Sequence, residues 1–503
     1  MIRRLLIANR GEIADRIIRA CRELGIESVA VCSDIEQGAP HAVLADRAVT
    51  LGPAAAADSY LSIGRIIDAA RATGADAIHP GYGFLAENAG FASACLEAGL
   101  VFVGPRPDAI ERLGSKIAAR ALMADAGVPV VPGAAPTDQS DAGMRAAAVH
   151  VGYPLLIKAS AGGGGKGMRT VQSADDLGEA TAAARREAVS AFGDGTLYVE
   201  RLIQTPRHVE FQIVADHHGA IVHLFERECS VQRRHQKIVE ESPSPIMTPA
   251  LRDRMGASAL RAARAVGYHN AGTVEFLVEG RGEEARFYFL EMNTRLQVEH
   301  PVTEAVTGID LVRVQLAIAA GEPLPWDQSG VSQRGCAIEC RVYAEDPASG
   351  FLPQAGRLLL YREPTGPGIR VDSGVVEGSD VPVHYDPMLA KLIVHGDTRA
   401  AAIERARSAL RQFPVLGLRT NVPFLIRLLE HPAFQAGTID TGFVERELPA
   451  LLRQAPPCLR HVAMAVAAAV SGPTGMPGRA GEPGRRETAY DPWTTLGPWR
   501  RPA

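Results

Sequence analysis

The chain has 503 residues with 53 basic and 57 acidic side chains, a formal charge of −4. That length suggests about three folded units; the near-neutral balance argues against broad nucleic-acid binding, which rests on a large positive patch. Its longest apolar run, His461–Val470, falls well short of the ~20 residues a membrane-spanning helix needs, and the N-terminus has no secretory cleavage pattern, so a cytoplasmic protein is expected.

Leu5–Ala8 reads as a short buried strand and Gly11–Leu24 as an amphipathic helix with Ile13, Ile17, Ile18, Cys21 and Leu24 on one face. Ser28–Cys32 follows as a strand, so the chain opens with a β-α-β unit of a parallel sheet. The first turn, Asn9-Arg10-Gly11-Glu12, is not the dinucleotide fingerprint, which argues against a nicotinamide enzyme. The alternation continues through Ile63–Ala72, Ala75–His79 and Val101–Gly104 and ends near residue 115. Helix-like sequence to Ala126 is followed by Pro129, Pro132 and Gly133, a hinge pattern. Pro154–Ala159, Leu197–Glu200, His208–Ala215 and Ile221–Arg227 are strand-like, Leu251–Val266 is helical, and strands are expected over Thr273–Glu279 and Arg286–Met292. Short strands run from Gly335 to about Val394, with helices after Thr398 and Asn421. Ser471–Arg486 is Gly/Pro/Arg-rich and reads as a flexible linker, and Trp493 and Trp499 stand in the tail beyond it.

The seven cysteines are scattered with no Cys-x-x-Cys pair, which disfavours a disulfide framework or a zinc site. Only Lys116, Lys158, Lys166, Lys237 and Lys391 are lysines. In a chain that otherwise uses arginine, each marks a place where a compact point charge is wanted over a planar fork. Two of them flank Gly162–Gly165, where consecutive glycines let backbone N–H groups wrap an anion. Gly167 follows Lys166 in place of Ser or Thr, so this is not the P-loop. If the chain stays extended beyond Arg286–Met292, Glu291, Asn293, Arg295, Gln297 and Glu299 share a face, with Met292, Leu296 and Val298 turned to a core. Glu275 stands on the neighbouring strand, and Glu275, Glu291 and Asn293 together suit Mg²⁺. Arg233, Arg234, His235 and Lys237 form a local cationic block that could hold an anionic substrate. His217 and His218 read as a solvated turn.

The glycine loop, the Glu291-Met-Asn-Thr-Arg-Leu-Gln-Val-Glu-His300 stretch and His79-Pro80-Gly81-Tyr82-Gly83 resemble the biotin carboxylase unit of biotin-dependent carboxylases, an ATP-grasp fold, over roughly residues 1–448. The resemblance implies an α/β protein with a Rossmann-like N-terminal domain (1–115), an ATP-grasp domain (116–320) with a mobile glycine-rich lid at about 131–204, a mixed α+β C-terminal domain (321–448), and a linker and tail (449–503) leading to a carboxyltransferase-docking and biotin-carrier region. It implies Mg-ATP-dependent carboxylation of biotin by bicarbonate through carboxyphosphate, the first half-reaction of an acyl-CoA carboxylase, with Mn²⁺ as an alternative metal. Lys116, Lys158, Lys166 and the glycines Gly163, Gly164 and Gly165 would contact ATP phosphates, and Glu200 to Ile203 would read adenine. His208, Gln232, His235 and Lys237 would line the nucleotide and bicarbonate pocket, and Glu275, Glu291 and Asn293 would hold the metal. Arg295, Gln297 and Val298 would bind bicarbonate, Glu299 would be the general base, and Arg341 would face biotin and stabilise its enolate, with Tyr82 also in the substrate set.

No lysine sits in a Met-Lys-Met context, so the implied partners are a biotin carboxyl carrier protein or domain and a carboxyltransferase β subunit, in a homodimer or a larger α/β complex. The tail resembles acyl-CoA carboxylase α chains just before their docking domain, so an α chain cut short is expected, with a stand-alone subunit as the other possibility. Another ATP-grasp ligase with a non-biotin acceptor would share the metal row and the glycine loop.

Overall fold

The computed structural model describes residues 2–161 and 167–453. The expectations placed on Gly163, Gly164, Gly165, Lys166, the linker and the two tail tryptophans lie outside the described residues. The chain opens with β1 (Arg4–Ile7), the helix Gly11–Leu24 and β2 (Glu27–Ser33), and the helix buries Ile13, Ile17, Ile18 and Cys21 as its periodicity predicts. It ends at Gly25, where φ of 68° needs a residue without a Cβ. With β3 (Arg47–Gly52), β4 (Ala77–His79) and β5 (Val101–Phe102) these strands form a parallel sheet in the order β3-β2-β1-β4-β5. The carboxyl ends of β1 and β4 deliver Asn9–Ile13 and Pro80–Phe84 to one edge, where parallel sheets bind ligands. Asn9 ties those two loops together, its Nδ2 donating to the Pro80 and Tyr82 carbonyls at 2.7 Å each.

The helix Lys116–Asp125, capped by Ser115, leads to a four-stranded antiparallel sheet. Its strands are β6 (Gly133–Ala134), β7 (Leu155–Ala159), β8 (Arg169–Val171) and β9 (Leu197–Arg201), in the order β6-β9-β7-β8. Ile157, Val171, Leu197 and Val199 bury its inner face against Met144, Leu177 and Ala184.

The largest sheet is antiparallel throughout: β10 (Arg207–Ala215), β11 (Ile221–Arg233), β12 (Gln236–Ser242), β13 (Asn270–Glu279), β14 (Arg286–Asn293), β15 (Cys336–Tyr343), β16 (Ile369–Ser373) and β17 (Met388–Gly396). Their order is β14-β13-β10-β11-β12-β15-β17-β16, so the strands beyond residue 320 extend the sheet begun before it. On β10 the strand period sends Val209, Phe211 and Ile213 into a core with Met255, Ala259 and Ala262 of the helix Pro249–Val266. The alternate residues, His208, Glu210 and Gln212, are also buried but face the other way, and polar groups placed there must find partners. Among the described residues, no helix is long and apolar enough to cross a membrane.

Candidate active site

The three sheets surround a cavity of about 900 Å³, and every described candidate residue except Arg233 and Arg234 lines it. Its lining includes Lys116, Lys158, Glu200, Ile203, His208 and His235, and also Tyr82, Arg341 and the loop His384–Asp386. The Glu291-to-Glu299 row also supplies lining residues, but not as the extended strand expected. β14 ends at Asn293, turns follow, and a helix begins at His300 (His300–Thr307). The side chains still converge because the turn is folded over the sheet. The correction falls on Val298: Leu296 is fully buried, whereas Val298 is only partly buried and lines the cavity.

The cationic block also separates. Arg234 and His235 form a tight hairpin turn between β11 and β12, with φ of 49° and 66°. His235 and Lys237 face the cavity, whereas the Arg233 guanidinium stacks 4.2 Å over the Phe351 ring and the Arg234 N–H donates to Glu445. His217 and His218 are exposed, and the imidazole of His217 stacks on His269 at 4.8 Å.

Lys237 is the electrostatic centre. Its Nζ donates to Glu210 at 2.5 Å, Glu299 at 2.7 Å and Glu275 at 2.8 Å. Three carboxylates outweigh the cost of burial and hold the ammonium well above its usual pKa. Burial alone would raise the Glu299 carboxyl, but Lys237 first, then Arg341 and Arg227, hold it well below the usual range. Arg341 reaches the second Glu299 oxygen at 2.9 Å and Glu240 through Nε at 2.6 Å. Glu275 likewise overcomes burial through Lys237 and His208, whose Nε2 lies 2.7 Å away, and is depressed. Lys158 pairs with Glu200 at 2.6 Å, so the carboxylate at the expected adenine hinge is held by a lysine on the next strand. Arg295 donates to Glu87 at 2.9 Å and to Gln297 Oε1 at 2.9 Å, which fixes both ends of its fork.

Glu275 and Glu291 are directly opposed on β13 and β14. Burial first, then the Glu275 charge, push the Glu291 carboxyl up, and among the described residues no side-chain donor reaches it. Asn293 donates through Nδ2 to Glu275 at 2.7 Å and stands beside them. Two opposed buried carboxylates with an adjacent amide fit a hard divalent cation, which takes oxygen ligands and neutralises the repulsion.

Several members of the site escaped the sequence reading: Glu210, Arg227, Glu240 and Glu87. Arg227, fully buried, donates to Glu210 at 2.6 Å and to Gln212 and Thr303. The signal for Glu210 was available in the alternation His208-Val-Glu-Phe-Gln212, whose polar face lies on the strand between Glu275 and Arg227. Glu87 comes from the loop after β4 and has no such pattern.

A family profile described as biotin carboxylase, N-terminal domain matches residues 1–110; one described as carbamoyl-phosphate synthase L chain, ATP binding domain matches 115–326; one described as biotin carboxylase C-terminal domain matches 339–446. The chain is 52% identical over 454 residues to a protein named biotin carboxylase from Halalkalibacterium halodurans, covering 89% of this chain and 98% of that one. It is 50% identical over 452 residues to the mitochondrial methylcrotonoyl-CoA carboxylase subunit alpha of Mus musculus; that match covers 90% of this chain but only 63% of the relative. The biotin carboxylase domain of the Hydrogenobacter thermophilus 2-oxoglutarate carboxylase, a dimer solved with MgADP, ADP and bicarbonate, superposes with a TM-score of 0.86 at 44% identity over 91% of this chain and all of that one.

Proposed function

The chain belongs to the biotin carboxylase family, and from that premise we propose that it carboxylates carrier-borne biotin with bicarbonate at the expense of MgATP. The observation that carries this reading is the placement of Glu299. Its carboxylate sits between Lys237 and Arg341 in a cavity that Arg295, Gln297, Lys116, Lys158 and Tyr82 also line.

ATP would lie with its phosphates between Lys116, Lys158 and the glycine run, and with its base near Ile203. Glu275, Glu291 and Asn293 would hold Mg²⁺, which neutralises phosphate charge and orients the nucleotide. Arg295, Gln297 and the Val298 backbone would receive bicarbonate. Glu299 takes the bicarbonate proton, and the freed oxygen attacks the γ-phosphorus, releasing ADP. Carboxyphosphate divides into CO₂ and phosphate, the phosphate takes the N1 proton of biotin, and the nitrogen attacks CO₂. Arg341 stabilises the enolate that forms in that step. Lys237 and Arg341 hold the Glu299 carboxyl low, which makes it a weak base while both pair with it. Were Arg341 to turn to the biotin oxygen, the proton affinity of Glu299 would rise, which would tie proton removal to acceptor binding.

Domain limits near 115, 320 and 448 fit this reading, with residues 131–204 as the part that covers ATP. The acceptor's carrier and a carboxyltransferase would be the partners, as would a second copy of the chain. The chain spans 63% of the methylcrotonoyl-CoA carboxylase α subunit it matches, and the choice of acyl-CoA would lie with the carboxyltransferase.

The test is ADP release with Mg²⁺ and bicarbonate, with and without free biotin. Release that requires bicarbonate and rises with biotin is expected. Release indifferent to both would overturn the reading in favour of an ATP-grasp ligase with another acceptor.

A further inference from the structure

Of the lysines that a chain rich in arginine retains, Lys116, Lys158 and Lys237 line the cavity and Lys166 lies outside the described residues. Lys391 is different: it stands in the middle of β17, is fully buried, and does not line the cavity. Its Nζ donates to the Val298 carbonyl at 2.9 Å and lies 3.1 Å from Glu12 Oε2 and 3.9 Å from Asp372 Oδ2. Its ammonium also lies 5.9 Å from the centre of the Tyr82 ring, whose hydroxyl is buried. One nitrogen thus meets the turn that carries the Val298 and Glu299 backbone, the first turn of the helix Gly11–Leu24, and strand β16.

We propose that Lys391 is a positioning residue for bicarbonate: it holds the Gln297–Glu299 turn against β17 and the N-terminal helix without touching substrate. The inference rests on the reading of Arg295, Gln297 and Val298 as the bicarbonate subsite. The carbonyls of that turn are individually held. Arg295 donates to Leu296 O at 3.3 Å, the His300 ring lies 2.8 Å from Gln297 O, and Lys391 takes Val298 O. Strand β14 has ended at Asn293, so no ladder fixes this turn, and side-chain donors supply what the sheet does not. A charge-assisted bond to a buried carbonyl is a strong tether, and the same ammonium sets its charge beside the Glu12 and Asp372 carboxylates. An arginine fork is planar and larger, which explains why this position keeps a lysine. Behind it, Glu12 and Glu339 have buried oxygens without hydrogen-bond partners, so the ammonium is the cation that this acidic pocket shares. Arg370 and Arg341 are the other cations that approach it, Arg370 through Asp372 at 2.7 Å and Arg341 from the facing position on β15.

The test is Lys391→Met, measured in the full chain. The expected result is a rise of about tenfold or more in the bicarbonate KM, with the ATP KM within twofold of the parent, and with faster amide exchange confined to residues 296–300 and the start of the helix Gly11–Leu24. Equal rises in both KM values, or unchanged exchange in that turn, would overturn the proposal. Glu12→Gln serves if Lys391→Met does not fold: it removes one anchor of the lysine and should raise the bicarbonate KM alone by a smaller factor, whereas an unchanged value would overturn the proposal. Failure of the underlying reading looks different. The parent protein itself would then show no bicarbonate-dependent ADP release.

Discussion

Glu299 is bound at both oxygens by cations from different strands, Lys237 of β12 at 2.7 Å and Arg341 of β15 at 2.9 Å. Glu299 itself belongs to neither strand; it stands at the end of the turn that follows β14, just before the helix His300–Thr307. Strands far apart in sequence therefore fix the orientation of one carboxylate, the proposed proton acceptor, and substitutions at its three members should separate chemistry from architecture.

Glu299→Gln keeps the volume and removes the proposed base. Bicarbonate-dependent ADP release should fall by about 10²–10⁴-fold, while ATP affinity, measured by titration calorimetry, stays near the parent value. Full activity in this variant would remove Glu299 from the role of base.

Lys237→Met leaves Glu210, Glu275 and Glu299 facing one another without their ammonium. Breaking such a buried set costs about 3–5 kcal/mol, readable by denaturant unfolding at pH 7. Glu275 and Glu299 have depressed folded pKa values, so the stability they contribute is present above the ordinary carboxylate range and lost as pH falls through the folded values. The gap between parent and variant should therefore be widest near neutrality and close in acid.

Glu291→Gln removes one of two opposed buried carboxylates. Without divalent metal the variant should melt at or above the parent temperature, because a like-charge pair is relieved. The Mg²⁺ concentration for half-maximal ADP release should rise by about tenfold or more. A lower melting point and an unchanged Mg²⁺ requirement would remove Glu291 from the metal set.

Asp15 titrates with the opposite sign. Burial, opposed in part by Arg19, pushes its carboxyl up to about 7. The folded state then holds a proton that the unfolded chain releases near 3.9, so stability from this group declines as pH rises from about 4 to 7. Asp15→Asn should be near neutral at pH 4 and gain roughly 1–3 kcal/mol over the parent at pH 8. Unfolding curves at the two pH values check it.

Much of this was legible along the chain. The helix Gly11–Leu24 has the bounds its periodicity predicts, because its apolar stripe and the glycine after it are local properties. Strand alternation placed Glu275 and Glu291 on neighbouring strands, so the pair could be named from sequence, but their direct opposition depends on a register shift between Glu275 and Phe276 that the hairpin alone does not supply. The extended row beyond Asn293 and the cationic block of Arg233 to Lys237 were misread for one reason. Periodicity describes an element while it lasts but not where pairing partners stop or where a turn reverses the facing.

By itself, then, the sequence determined the local elements, the presence of a phosphate-type glycine run and the family resemblance, since each is written in contiguous residues. Only the tertiary structure decided that Glu210, Arg227 and Glu240 surround Lys237 and Glu299, that Glu87 holds Arg295, and that Lys391 reaches the Val298 carbonyl across 93 positions. These are contacts between polar groups on separate strands, loops and turns, and burial makes many of them depend on the others. A buried charge needs its counter-charge wherever the fold supplies it, and no local spacing encodes where that is.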